Sequence, residues 1–204
     1  MIVVIDYGMG NLKSVYNALK KLDLDCIISG EIDDIKKADK LILPGVGAFK
    51  DAIDNLSNMN LIPIIKEKVE EGCPLLGICL GMQMLFEEGY EGEVRKGLGF
   101  IKGKVKLMEP KEEVKIPHIG WNRLEKNNDN KLLNGLDKES FVYYVHSFMA
   151  TDINNDELVA YSEYGGINIP GLVSKDNVYG AQFHPEKSGE VGLKILKNFG
   201  ELIV

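Results

Sequence analysis

The segment Pro74-Leu75-Leu76-Gly77-Ile78-Cys79-Leu80-Gly81 leaves its backbone few paths. A short apolar run runs into a residue flanked, two positions away on either side, by glycine. A reactive side chain raised on a tight strand-to-helix turn needs small neighbours, because the backbone there is strained and other groups must come close. Gly77 and Gly81 meet that demand. The helix expected to begin near Leu80 would aim its first amides and its positive dipole end at the sulfur, favouring thiolate over thiol. The pattern is the cysteine counterpart of the Gly-x-Ser-x-Gly elbow, in which one oxyanion donor is the amide after the nucleophile and another comes from a separate loop. Leu80 N–H is the natural first donor.

Pro44-Gly45-Val46-Gly47 closes the strand-like run Leu41-Ile42-Leu43 and carries no bulky polar side chain. Its main chain at Val46 and Gly47 is the candidate second oxyanion donor; the alternative is an ordinary glycine turn. Far along the chain, Val178–Phe183 reads as a buried strand that stops where Pro185 forbids ladder pairing, which leaves His184 on a loop at a strand's C-terminal end. An imidazole has the right proton affinity to act as base for a thiol. Glu186, two residues on, can orient it. A lone histidine is often only a hydrogen-bonded structural residue, but paired with Cys79 it points to cysteine acyl-transfer chemistry.

The rest of the chain supplies a frame for such a site. Residues 2–6 read as a first strand, followed by a turn at 7–10 and a helix that Asn11 can cap, with Leu12, Val15, Leu19 and Leu22 on one face. Strands at 26–29, 41–43 and 74–78 alternate with helical stretches near 49–57 and 61–71, so the first half is expected to be doubly wound and parallel. From Gly97 the pattern changes to alternating runs at 100–107, 141–149 and 158–161, which predict a more antiparallel, strand-rich flank. Residues 192–203 should form a closing helix on the sheet through Leu193, Leu196, Phe199, Leu202 and Ile203. The expectation is one α/β domain spanning residues 1–204, without repeats or linkers.

With 204 residues and 45% hydrophobic content the chain can bury a sizeable core. Its three cysteines lack regular spacing, so neither a disulfide framework nor a metal site is expected, and a reducing, cytoplasmic setting fits. Cys26 and Cys73 read as packing residues. Gly8-Met9-Gly10 lacks the third glycine of a dinucleotide loop because residue 13 is lysine, and the three histidines have no metal-ligand spacing. No cofactor is expected. The N-terminus reads as a strand instead of a signal peptide, and no apolar run approaches the roughly 20 residues of a membrane span. A net charge of −7 disfavours a nucleic-acid partner.

Gly-Ile-Cys-Leu-Gly-Met-Gln at 77–83 together with His184-Pro185-Glu186 is similar to the class I, or triad-type, glutamine amidotransferases over nearly the whole chain. The segments 6–12, 44–49, 118–122, 144–147 and 182–188 more narrowly resemble the branch that serves a cyclase of histidine biosynthesis. Phe148 departs from that branch, where tyrosine is expected; a main-chain role at this position would survive the change.

The resemblance implies hydrolysis of glutamine to glutamate and ammonia through a γ-glutamyl thioester on Cys79, with His184 as base and acid and Glu186 holding the ring. It implies that Gln83, Glu91 and the Ser147 main chain contact the glutamine's polar end, although Glu91 lies in a glutamate-rich stretch that can also be read as solvated charge. Ammonia would pass to a separate (β/α)₈-barrel cyclase subunit that makes imidazole glycerol phosphate. The surface meeting this partner would include Asn11, Trp121, Asn122, Tyr143 and Lys187, with core packing the alternative for Trp121. The second oxyanion amide, near Val46, would point away until the partner is occupied. The competing readings are another amidotransferase branch such as that of pyridoxal phosphate synthase, a non-catalytic regulatory subunit, and a stand-alone cysteine hydrolase.

Overall fold

The computed structural model describes residues 1–203; residue 204, the last of the expected domain, lies outside them. The chain opens with β1 (Ile2–Ile5), α1 (Leu12–Lys21), β2 (Cys26–Ser29), α2 (Ile32–Lys37), β3 (Lys40–Gly45), α3 (Phe49–Asn58), α4 (Leu61–Glu70) and β4 (Leu75–Cys79). These elements follow the expected alternation, except that α2 was not anticipated. Only Ile35 of α2 is buried, so its charged sequence offers no apolar period to read. Asn11 does stand at the start of α1, but its side chain makes no cap hydrogen bond.

The elbow feeds only a single helical turn, α5 (Leu80–Gln83). This corrects the expected helix: one turn aligns too few peptide dipoles to build a macrodipole, and what remains for the sulfur is a few local amides. The chain then forms β5 (Phe86–Gly89), β6 (Arg95–Lys96) and β7 (Ile101–Leu107), followed by β8 (His118–Arg123) and β9 (Glu125–Lys126). The run 141–149 proves to be two strands, β10 (Phe141–His146) and β11 (Phe148–Thr151), which part at Ser147 and join different sheets. β12 (Leu158–Tyr164), β13 (Ile167–Lys175), β14 (Val178–Ala181) and α6 (Gly189–Leu202) complete the chain.

One eight-stranded sheet runs β2-β1-β3-β4-β14-β13-β12-β9. Its pairings are parallel from β2 through to β14 and antiparallel beyond. The strand-rich second half is therefore not a separate flank throughout, since β12, β13 and β14 extend the main sheet. A two-stranded sheet, β10-β8, and a four-stranded one, β11-β7-β5-β6, complete the architecture; the latter pairs β5 with β7 in parallel.

Strand alternation assigns each face of the main sheet its own core. Val3, Ile5, Leu41, Leu43 and Leu75 point to one side with residues of α2, α3 and α4. Ile2, Val4, Ile42, Leu76 and Ile78 point to the other with Val15 and Leu19 of α1 and Ile195, Leu196 and Phe199 of α6. α6 starts three residues before the expected span, and Leu202 is exposed rather than packed. β4 lies between β3 and β14, so the C-terminal ends of these three central strands converge, which is where α/β sheets place their sites.

Candidate active site

Cys79 ends β4 with φ of 54° and ψ of −111°, a conformation that residues other than glycine seldom adopt. The turn is tight enough that a Cβ on Gly81 would collide with the Leu43 carbonyl oxygen, and one on Gly77 would lie 2.6 Å from the Gly81 oxygen. The two glycines let the elbow pack backbone against backbone on β3. The strain is held in place by burial, for Cys79 is 7% and Leu80 3% exposed.

The His184 arm is set by other contacts. β14 stops at Ala181, two residues before the expected end: Gln182 N–H still bonds the Gly171 carbonyl of β13, but His184 N–H turns to the Tyr143 carbonyl of β10. Pro185 starts a 3-10 turn over Pro185–Lys187 that brings Glu186 back under the ring. His184 Nδ1 lies 2.8 Å from Glu186 Oε1. A carboxylate only accepts, so Nδ1 carries a proton and Nε2 is the nitrogen at which the ring gains or loses its second one. Nε2 is buried and meets no hydrogen-bond geometry among the described residues, with Cys79 the neighbour close enough to act on its charge. Burial alone would lower the pKa of His184, but Cys79 and Glu186 outweigh it and raise the group to about 9.

Cys79, Leu80, Val46, Gly47, Gln83, Glu91, Ser147 and His184 all line one cavity of about 310 Å³, joined by Val145, His146 and Phe148. Cys79, His184 and the oxyanion and glutamine-binding candidates therefore meet in one cavity, while Glu186 reaches it through its contact with His184. Val46 is exposed and Gly47 has φ of +99°, so the loop after β3 is a solvent-facing rim. Glu91 is more than solvated charge: its Oε2 accepts the Phe49 N–H at 2.8 Å, satisfying an amide at the start of α3. Gln83 spends both amide protons on the Phe148 carbonyl (3.0 Å) and Gln182 Oε1 (3.1 Å), which leaves its own carbonyl oxygen for a ligand.

Among the interface candidates, Trp121 is 57% exposed, which removes the core-packing alternative; its ring meets Tyr143 edge-on at 6.0 Å. Lys187 is exposed. Asn122 is already engaged, donating to the Glu163 carbonyl and accepting from Arg123 N–H. Asn11 borders a crevice with Val46, His184 and Glu186 behind the cavity.

Three site residues escaped the sequence reading. Tyr7 donates its buried hydroxyl to the Pro44 carbonyl at 2.9 Å and so ties the end of β3 just before the Val46–Gly47 rim; burial, then the neighbouring Cys79, push its pKa up. His146 lines the cavity, and Gln182 is hydrogen-bonded to Gln83 of its wall. His146 is no competing base, because burial holds it down to about 4. A larger recess of about 720 Å³, lined by Arg123, Lys126, Asp137 and Lys138 among others, contains no cysteine or histidine.

A buried cysteine on a strained elbow, a carboxylate-oriented imidazole and main-chain donors in one cavity form a set suited to acyl transfer. Residues 3–202 match the family model for glutamine amidotransferase class-I. The chain belongs to the class-I glutamine amidotransferase family. This family member is 52% identical to the imidazole glycerol phosphate synthase subunit HisH of Lactococcus lactis subsp. lactis, over 99% of this chain and 98% of that protein. It is also 52% identical to the protein of the same name from Caldanaerobacter subterraneus subsp. tengcongensis, over 100% and 98%. Among solved folds, the structure of PurLQS from Thermotoga maritima superposes with a TM-score of 0.76 at 21% identity, covering 97% of this chain and 95% of that one. A glutamine amidotransferase crystal structure gives 0.75 at 21% identity, covering 98% of each.

Proposed function

We infer that this amidotransferase is the glutaminase subunit of an imidazole glycerol phosphate synthase. The observation that carries the assignment is its likeness, at half identity and essentially full length, to relatives of that name. The cavity around Cys79 supports the chemistry. Cys79 gives its thiol proton to His184 and its sulfur attacks the side-chain amide carbon of glutamine, while Leu80 N–H with a main-chain amide at Val46 or Gly47 receives the oxyanion. His184 protonates the leaving nitrogen, ammonia departs, and a γ-glutamyl thioester remains on Cys79. Water deprotonated by His184 then releases glutamate. Gln83 Oε1, Glu91 and the Ser147 main chain hold the α-amino and α-carboxylate end.

Ammonia passes to a (β/α)₈-barrel cyclase subunit, docked on the surface that includes Asn11, Trp121, Asn122, Tyr143 and Lys187. No described helix is long and apolar enough to cross a membrane, and the three free buried cysteines fit the reducing cytoplasm. The exposed Val46–Gly47 rim suits a gate: with the second amide turned away, the free subunit would be slower by a factor on the order of 10² to 10³.

The test is glutamate release by the purified chain, alone and with the cyclase carrying a ligand in its phosphate-binding site. Strong stimulation by the liganded cyclase is expected. Full activity of the chain alone, or no response, would transfer it to another branch or to an independent hydrolase.

A further inference from the structure

We propose that Gln182 is a positioning residue for the nucleophile: its buried side-chain amide faces the Cys79 sulfur and is aimed there by a hydrogen-bond chain running back through Gln83 and the Phe148 carbonyl to His146. The inference rests on the reading of Cys79 as the nucleophile.

Gln182 is completely buried, one residue beyond the end of β14. Its Nε2 lies 3.9 Å from Cys79 Sγ, a distance suited to a weak N–H···S contact. The direction of every donor in the chain follows from one fixed point. The Phe148 carbonyl can only accept, and it takes Gln83 Nε2 at 3.0 Å and His146 Nδ1 at 2.8 Å on its two lone pairs. Gln83 must therefore present its NH₂ group, whose second proton goes to Gln182 Oε1 at 3.1 Å. With its oxygen committed to Gln83, Gln182 turns its own NH₂ to the sulfur.

The same logic fixes His146 as the Nδ1–H tautomer, so its Nε2 accepts from His118 Nδ1 at 3.2 Å. Burial keeps both imidazoles neutral at pH 7, which keeps these roles from reversing. The chain thus extends from the sulfur to β8.

A thiolate gains more from such a donor than a thiol, because hydrogen bonds to ions are the stronger ones. Apart from His184, whose charged form Cys79 favours, the sulfur meets the Val145 carbonyl, also 3.9 Å away, to which a thiol proton can be donated. That contact favours the protonated form. Gln182 opposes it, which fits a polar side chain retained at a fully buried position.

The measurement is the rate of iodoacetamide alkylation at Cys79 against pH, followed by peptide mass, for the wild-type chain and Gln182→Met. Methionine keeps the volume and removes the donor. The inference expects the alkylation profile of the variant to move to higher pH, with the rate at pH 7 down about 10-fold and the circular dichroism unchanged. In glutamine turnover kcat falls while KM stays within about twofold, as expected for loss of an interaction made by the nucleophile. An unchanged profile overturns the proposal. Wild-type Cys79 reacting no faster than the buried Cys26 and Cys73 would overturn the nucleophile reading itself. If Gln182→Met does not fold, Gln83→Leu, which leaves Gln182 unaimed, must show the same displacement of the profile, and its absence is equally fatal.

Discussion

His184 and Glu186, separated by one proline, face each other at 2.8 Å with side chains 3% and 1% exposed. The 3-10 turn makes this i to i+2 pairing possible, and Ser188 pins the turn by donating to the His184 carbonyl and accepting the Tyr143 N–H. A carboxylate at Nδ1 fixes that nitrogen as a donor and, in the proposed mechanism, supports the imidazolium.

Glu186→Gln should therefore be milder than loss of either partner it serves. We expect a fall in kcat of about 10⁴-fold for Glu186→Gln, against about 10⁶-fold for Cys79→Ala and His184→Ala. In the assembled synthase, Cys79→Ala should keep cyclisation driven by added ammonia. Steady-state assays with glutamine and with ammonium salts separate these cases, and loss of both activities would remove Cys79 from the nucleophile's role.

The charge state of His184 predicts a stability trend on the alkaline side. Its folded pKa of about 9 exceeds the unfolded value near 6.5. The contribution is complete below pH 6.5 and disappears as pH rises through 9. Cys79→Ala removes one source of the elevation. NMR titration should find the His184 ring midpoint lower in that variant, and the wild type's advantage in urea midpoint should shrink between pH 6.5 and 9.

His118 and His146 act in the opposite sense. Both are held near 4, chiefly by burial, so between pH 6.5 and 4 the unfolded chain binds more protons than the folded one. Stability is complete above pH 6.5 and is lost as pH falls toward 4, by an amount on the order of 2 kcal/mol for each of the two histidines by pH 4.5. His118→Phe preserves the stack with Tyr144 at 4.8 Å and Tyr164 at 4.0 Å and should flatten part of this acid limb. Urea titrations at pH 7 and 4.5 decide it; an equally steep acid loss in the variant would refute the account.

The elbow and the His184 arm were legible in the sequence because each is a local device: glycines around one cysteine, a proline after one histidine. The parallel half was legible because its strands are buried on both faces and read as apolar runs. The division of 141–149 between two sheets was not, since nothing local distinguishes Ser147 from a residue within a strand. Nor were Tyr7 and Gln182, whose roles depend on partners 37 and 103 residues away in the chain. Glu91 shows the same limit, as a run of glutamates does not reveal which one reaches the amide of Phe49.

Gly81→Ala should be among the most damaging single-methyl changes in the molecule. The added Cβ would meet the main-chain carbonyl of Leu43, which cannot rotate away while β3 pairs with β4. A loss of about 3 kcal/mol or more is expected, with glutaminase activity falling as the elbow is displaced. Gly72→Ala supplies the contrast: nothing lies within 4 Å of its new Cβ, and its φ of +93° costs about 1 kcal/mol through backbone strain alone. Similar unfolding midpoints for the two variants would mean that the elbow has room the packing does not indicate.

β8 carries its polarity reversed. His118 points inward while Ile119 and Trp121 are 59% and 57% exposed, and Phe141 on the paired β10 is 43% exposed beside them. Strands normally turn such residues to the core, so this face is built to be covered, in our proposal by the cyclase. Trp121→Ala should leave the isolated chain within about 0.5 kcal/mol of wild-type stability, since the ring's aromatic neighbour is the half-buried Tyr143. It should weaken the complex about 10-fold or more, as removal of an aromatic anchor does. Calorimetric titration of the cyclase into each chain reads the effect directly. Equal affinities would place the interface on another face, whereas weaker binding with unchanged unfolding would tie this reversed strand to the partner.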